Sequence, residues 1–431
     1  MKPRLKILFL SQPFLYPLDT GGKIRTAKLL EQLTKLCDIT LISNFDPSKD
    51  AQNFDHMTRL CREYHPIPWK PIKKYSLQFY VRLLIRMFSR YPIIVLNDYS
   101  KDIEQKIHHL IRKEHYDLLI CDFLQPTVNF RHVTGRPTLL FQHNVESVIP
   151  RRHFEVAANP FLKFFWWLQW RKMERYEREM CQRFTGTVTV SEADKALLEE
   201  KFGARNVFCI PTGVDTDYFF PSGETKVNSS LVFTGSMDWL PNEDAILFFA
   251  RDILPRIKQQ IPDVKLTVVG RSPSRSLVNE IKKYPEIELT GRVDDVRPFV
   301  ARNAVYVIPL RIGGGTRIKV YEAMAMGKAV VSTRIGVEGL PVRNGENVLL
   351  SDEPEDFADA VITLLKDAEA RKRMEINARC FVETSFSWAK VAQVFSNGCM
   401  KMARGELTLL GPGEGANLEK LDAAFGVIED T

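Results

Sequence analysis

No run of this 431-residue chain reaches the ~18 to 20 uninterrupted apolar residues that a membrane-spanning helix needs, so any membrane contact is expected to be peripheral. Its seven cysteines (Cys37, Cys61, Cys121, Cys181, Cys209, Cys380 and Cys399) are scattered, with no C-x-x-C pair. That pattern indicates neither a zinc site nor a disulfide framework, and a reduced cytoplasm is the simplest setting. Histidine is missing after His153, so any histidine chemistry belongs to the first half. Charge of one sign is in modest excess: 60 Lys and Arg against 53 Asp and Glu give +7. This suits an anionic small substrate or an anionic membrane surface. No aromatic RNA-binding motif accompanies it, and no nucleic-acid partner is expected. At the start, Lys2, Arg4 and Lys6 precede Ile7-Leu8-Phe9-Leu10, but this run is too short for a signal peptide and Gln12-Pro13 ends it. It reads as a first buried strand.

What is present is alternation. The length fits two α/β domains of about 200 residues each. Strand Ile7 to Leu10, the Gly21-Gly22 loop, a helix with Ala27, Leu29, Leu30, Leu33 and Leu36 on one side, and strand Ile39 to Ile42 form a βαβ opening. Such a connection gives parallel strands. Tyr116 to Cys121, Thr138 to Phe141, Gly186 to Val190 and Val207 to Ile210 continue the series. His143 follows one of these strands directly, where α/β sheets place ligands. Asn144 and Glu146 stand beside it, to orient it, to bind acceptor hydroxyls or to cap the next helix. Leu231 to Ser236 then repeats the strand-then-glycine opening, which implies a second lobe.

The most informative stretch is a strand Val305 to Leu310, a loop Arg311-Ile312-Gly313-Gly314-Gly315-Thr316-Arg317, a helix from Ile318 to Met326 and another apolar strand at Ala329. Consecutive glycines let the backbone approach a ligand closely, and the following helix turns its free N–H groups and positive dipole end back towards them. That is a phosphate seat. Lys319 and Glu322, three apart, share a helical face and offer a base for phosphate and a carboxylate for sugar hydroxyls. The glycine spacing fits neither G-x-G-x-x-G nor the P-loop, which disfavours a dinucleotide or ATP. A plain glycine turn before a solvated helix stays open as the alternative.

The segment Gly313 to Val331 resembles the donor-binding segment of family 4 retaining glycosyltransferases, in the glycine-rich-loop branch of bacterial exopolysaccharide-associated sugar transferases. The resemblance implies an α/β protein of the GT-B fold: two Rossmann-like domains with parallel sheets facing an interdomain cleft. It implies an N-terminal acceptor domain over 1–215, a donor domain over 216–384, a closing helix over 385–404 and a loose tail over 405–431. Of the two glutamates that flank the loop in the family, the second matches Glu322 and is expected on the donor ribose; the first falls on Gly314. Donor contacts are further expected from Gly21, Gly22, Gly235, Gly314, Gly315, Thr316 and Ile318, from main-chain groups of Arg292 and Val293, and from Arg271 and Arg317 at the phosphates. His143, Arg317 and Lys319 are the expected catalytic residues, with Asn144 and Glu146 on the acceptor. No metal and no cofactor are expected.

The resemblance implies same-face transfer of a sugar from a nucleotide-sugar donor to a saccharide or lipid-linked acceptor, without an enzyme nucleophile. A sugar-nucleotide epimerase and a non-catalytic sugar-nucleotide-binding module remain as alternatives. Two basic-aromatic stretches, Trp69 to Ile94 and Arg151 to Phe184, are read as packed helices or as docking surfaces for the cytoplasmic face of an anionic membrane. The second is expected to be one long helical segment.

Overall fold

The computed structural model describes residues 4–69, 84–157, 159–224, 227–312 and 317–406. The chain divides into two compact units, one running to Pro211 and resuming at Val391, the other spanning Thr212–Lys390. Residues on either side of the expected borders pack together inside the second unit. Val214 N donates to Phe386 O at 2.8 Å, and a Cβ on Gly213 would lie 2.5 Å from the Trp388 ring.

Among the described residues the first unit carries seven strands: β1 (Lys6–Leu10), β2 (Asp38–Phe45), β3 (Glu63–Pro68), β4 (Leu118–Asp122), β5 (Thr138–Phe141), β6 (Gly186–Thr189) and β7 (Val207–Cys209). They lie in the order β3-β2-β1-β4-β5-β6-β7, each pair parallel. The second unit has β8 (Val227–Thr234), β9 (Lys265–Val269), β10 (Ile287–Gly291), β11 (Asn303–Ile308), β12 (Ala329–Ser332) and β13 (Leu349–Leu350), ordered β10-β9-β8-β11-β12-β13 and again parallel. Helices cover both faces of such sheets, so central strands are apolar throughout rather than alternating. Every residue of β4 and of β11 is buried. In each sheet the strand order reverses once, between β1 and β4 and between β8 and β11. Ligands of α/β sheets bind beyond the carboxyl ends of strands at that reversal.

The segment expected to be one long helix is two. Residues 148–183 divide into α2 (Val148–Val156) and α3 (Pro160–Arg183), counting Gly21–Leu36 as α1. Pro160 has no N–H to continue the helix, and the Asn159 side chain accepts from the N–H groups of Phe161 and Leu162 to start a new one. Downstream, the helix Pro354–Lys366 ends at Asp367, whose carboxylate accepts from Ala370 N and begins Ala368–Ser385.

The last helix, Trp388–Ala403, returns to the first unit from Val391 onward. Phe395 packs on Phe141 and Phe208, and Ser396 Oγ lies 3.4 Å from Cys37 Sγ. A Cβ at Gly398 would reach the Phe208 ring at 2.6 Å, so helix and sheet touch there. The expected tail beyond 406, the loop residues Gly313–Thr316 and most of the basic stretch 70–83 lie outside the described residues.

Candidate active site

At the reversal of the first sheet, four elements converge on one carboxylate. Asp122, the last residue of β4, is fully buried; its Oδ2 accepts from Ser11 Oγ after β1 at 3.1 Å and from Thr26 Oγ1 of α1 at 2.9 Å. Its Oδ1 lies 2.7 Å from His143 Nε2, while Arg25 Nη1 lies 3.0 Å from His143 Nδ1. A guanidinium only donates, so Nδ1 accepts and the imidazole proton sits on Nε2, donated to Asp122. Both ring nitrogens are therefore engaged. Burial pushes the imidazole below its ordinary pKa, opposed by Asp122 and reinforced by Arg25. Burial also lowers Arg25, to about 10, and it stays charged near neutrality.

Aromatic rings hold this cluster. Phe123 stacks on His143 with centroids 4.0 Å apart and planes 9° from parallel, and Phe141 lies at 4.4 Å. Phe123 adopts φ +69°, a conformation uncommon for a bulky side chain. Its ring rests on the start of α1, where a Cβ at Gly22 would come within 2.7 Å of Cζ. Gly21 has open space at the same position. Glycine at 22 is thus a packing requirement, and at 21 it is not.

The partners expected for His143 are not the ones it has. Asn144 is exposed, and Glu146 is buried with its Oε2 accepting from Gln125 Nε2 at 2.8 Å. Beneath it, Glu177 accepts from the N–H groups of Glu146 and Ser147. Burial raises both carboxyls to about 7, and for Glu146 the Glu177 charge adds to the rise. Arg25 and Asp122 escaped the sequence reading. The usable signal for Asp122 is an acid directly after a wholly apolar strand; Arg25 gave none, because its partner is 118 positions away.

In the second unit, Lys319, Asn242, Ser236 and Arg271 form a chain across the loop that follows β8. Lys319 Nζ donates to Thr234 O at 3.1 Å and to Asn242 Oδ1 at 2.9 Å, with the Phe233 ring 4.3 Å away. Asn242 Nδ2 donates to Ser236 O, and Arg271 Nε donates to Ser236 Oγ at 2.9 Å. A Cβ on Gly270 would strike Gly235 O at 1.8 Å, so the two strand-end loops are in contact. Arg317 is buried, its Nε donating to Ile335 O and its guanidinium 5.8 Å from the Trp239 ring.

Lys319 and Glu322 share the first two turns of the helix Ile318–Ala325, which begins just beyond β11 and its loop. Burial drives Lys319 down to about 7, helped by the Arg317 charge and opposed by Glu322. Burial drives Glu322 up to about 7, opposed by Lys319. Among the described residues none hydrogen-bonds the Glu322 carboxyl. The expected residues Gly235, Arg271, Arg317, Lys319 and Glu322 thus gather around this reversal. Arg292 and Val293 instead follow β10 at the sheet edge, with Arg292 exposed; Gly314, Gly315 and Thr316 lie outside the described residues.

Residues 99–218 match the model described as "Glycosyltransferase Family 4", and residues 228–367 the model "Glycosyl transferases group 1"; together they span more than half of the chain. The chain belongs to the group 1/family 4 glycosyltransferases. This glycosyltransferase is 21% identical over 401 residues, 90% of its length and 97% of the relative's, to an uncharacterized 44.6 kDa protein in the cps region of Klebsiella pneumoniae. It is 29% identical over 228 residues to the phosphatidyl-myo-inositol mannosyltransferase of Mycobacterium tuberculosis, a match covering 50% of this chain and only 59% of that relative. Among solved structures, sucrose-phosphate synthase from Thermosynechococcus elongatus superposes with a TM-score of 0.64 at 17% identity, over 93% of this chain and 100% of that one. Anabaena HepE in complex with UDP and glucose gives 0.60 at 14%, over 92% and 100%. The fold is GT-B, with two Rossmann-like domains.

Proposed function

We propose that this glycosyltransferase moves a hexosyl group from a nucleotide-sugar donor, with retention at the anomeric carbon, to a hydroxyl of a lipid-linked saccharide used in surface polysaccharide or glycoconjugate synthesis. The observation that carries this reading is the half-buried Lys319 and Glu322, one helical turn apart beside the second sheet's strand reversal. A cation there suits the diphosphate that departs, and a carboxyl that no described residue hydrogen-bonds suits the ribose hydroxyls. In the reaction the bond from the anomeric carbon to the diphosphate oxygen breaks, the acceptor oxygen bonds to the same face, and the acceptor proton passes to the departing phosphate. Charge develops on that phosphate, so Lys319, Arg317 and backbone N–H groups supply the stabilisation. His143, with both nitrogens committed, contributes through the position that Arg25 and Asp122 give it. The UDP and glucose of the HepE structure and the lipid acceptor in the mannosyltransferase's name agree with this reading.

The acceptor's lipid would be met at the cytoplasmic face of a membrane. Phe161, Leu162, Phe164 and Trp167 are exposed on α3, beside Lys163, Arg171 and the exposed Arg151 of α2. Aromatic and basic side chains together suit an anionic bilayer interface. The test is incubation with UDP-, GDP- and ADP-hexoses and a bacterial lipid extract, with the product's anomeric configuration read by NMR. A product carrying the donor's configuration supports the proposal; an inverted product, or an altered nucleotide sugar without any acceptor product, contradicts it.

A further inference from the structure

We infer that Glu177 of α3 is a positioning residue for His143, and that it acts together with a proton held on Glu146. His143 lies on a short loop, between Gln142 and the Glu146-Ser147 pair that leads into α2. Glu177 is fully buried against this loop. Its Oε1 accepts from Glu146 N at 2.8 Å and its Oε2 from Ser147 N at 3.0 Å. With its amide turned to satisfy both ends, Gln142 donates to the same Oε1 and to Asn144 O, each at 3.0 Å. One carboxylate therefore grips the chain on both sides of His143. Glu146 makes a second tie: its Oε2 accepts from Gln125 Nε2 at 2.8 Å, and Gln125 stands three residues beyond Asp122, the partner of the imidazole. The loop is thus fastened to α3 and to the segment that supplies the carboxylate for His143. The inference rests on the proposed reaction only for the part that His143 plays in turnover, and it gives Glu146 a task other than the acceptor contact expected of it.

The proton follows from the charges. Burial raises the Glu177 carboxyl, while the Ser147 hydroxyl, the N–H groups of Ser147 and Glu146 and the Lys201 charge favour its ionised form. Lys201 is itself paired with Glu174 Oε1 at 2.6 Å, so it offsets little more than one charge. Glu146 is 6% exposed, and its Oε1 is hydrogen-bonded by no described residue. Burial, the Glu177 charge and Asp98 all raise its pKa, to about 7, with Gln125 opposing. The nearby Cys181 thiol is pushed up by burial and stays neutral. Two adjacent buried carboxyls give up their protons in two steps, so Glu177 ionises first and Glu146 keeps its proton up to about neutrality. Above that, two anions face each other and the grip on the loop weakens. The sign agrees with linkage: a carboxyl whose pKa is raised by folding lends stability at acid pH that is lost as pH rises through the folded-state value.

The experiment is proton–carbon NMR of the full chain labelled at histidine Cε1, between pH 6 and 9, with the His143 signal assigned by its loss in His143→Gln. The imidazole has a pKa below the ordinary value and is neutral in the upper part of this range, so a shift there reports a neighbour. In wild type the signal should move as Glu146 ionises. Glu146→Gln keeps an acceptor for Gln125 and cannot ionise, and should abolish the movement. Glu177→Gln removes the charge that opposes ionisation of Glu146 and should lower the midpoint by about one pH unit. In parallel, kcat for nucleotide release is followed at saturating hexose donor, where the diphosphate keeps Lys319 protonated. It should fall at least fivefold from pH 7 to 9 in wild type and less than twofold in Glu146→Gln. A His143 signal that is still above pH 7 in wild type, or that moves equally in Glu146→Gln, would overturn the inference, as would an equal alkaline loss of kcat in both proteins. If the signals behave as described and no hexose donor turns over, the proposed reaction fails and the positioning of His143 stands. If a donor turns over and the His143 signal ignores Glu146, the inference fails alone.

Discussion

The 3.0 Å contact between Arg25 Nη1 and His143 Nδ1 makes the imidazole a neutral bridge between a buried guanidinium and a buried carboxylate. Because the folded-state pKa of His143 lies below its ordinary value, the folded state loses stability as pH falls through the ordinary histidine range. Arg25→Met removes both the donor and the neighbouring charge that hold the pKa down. The acid limb of the pH profile of kcat should then move to higher pH, with kcat down by about 10²-fold, the scale for a catalytic group displaced by ~1 Å. Arg25→Lys should recover part of the rate and return the limb towards its original position. An unmoved acid limb in Arg25→Met would show that the bridge has no part in turnover.

Neighbouring glycines at the start of α1 should respond differently. Gly22→Ala puts a methyl 2.7 Å from the Phe123 ring and should cost ~1–3 kcal/mol by chemical denaturation. Gly21→Ala meets nothing within 4 Å and should cost less than about 0.5 kcal/mol. Equal losses at the two positions would contradict the packing described.

Lys319 should gain a proton when a diphosphate binds. Its pKa in the free protein is about 7, so at pH 8 to 9 much of it is neutral, and an adjacent anion restores the charge. Calorimetry of UDP, GDP or ADP in two buffers of different ionisation enthalpy should show net proton uptake in this range and weaker affinity as pH rises. Glu322→Gln isolates the lysine from a carboxyl that titrates near the same pH. Undiminished uptake in Lys319→Met would assign the proton elsewhere.

The exposed end of α3 provides a test of membrane contact. Phe161→Ser, Phe164→Ser and Trp167→Ser combined should lower flotation with vesicles containing anionic phospholipid severalfold and leave nucleotide binding intact. Equal flotation of the triple variant would leave α3 without a role at the bilayer.

Legibility in the sequence followed the kind of force involved. The strands announced themselves because parallel strands buried on both faces need unbroken apolar runs, as in Leu118 to Cys121 and Val305 to Ile308. Lys319 and Glu322 were readable because helical spacing alone puts them on one face. The Asp122, His143 and Arg25 cluster was not, since its members meet only after two strands and a helix assemble. Asn144 and Glu146 looked alike in sequence, yet one faces solvent and the other is held by Gln125, a difference set by Glu177 approaching from α3. The Asn159-Pro160 break was written in local chemistry and was hidden by the apolar run around it.

The most direct measurement is the affinity of UDP, GDP and ADP for wild type, Glu322→Ala and Lys319→Met. At least one nucleotide should bind wild type, and each variant should weaken it by tenfold or more, about 1.4 kcal/mol, without a change in melting temperature. Binding of equal strength in all three proteins, or no nucleotide binding at all, would contradict the assignment of this helix as the donor site.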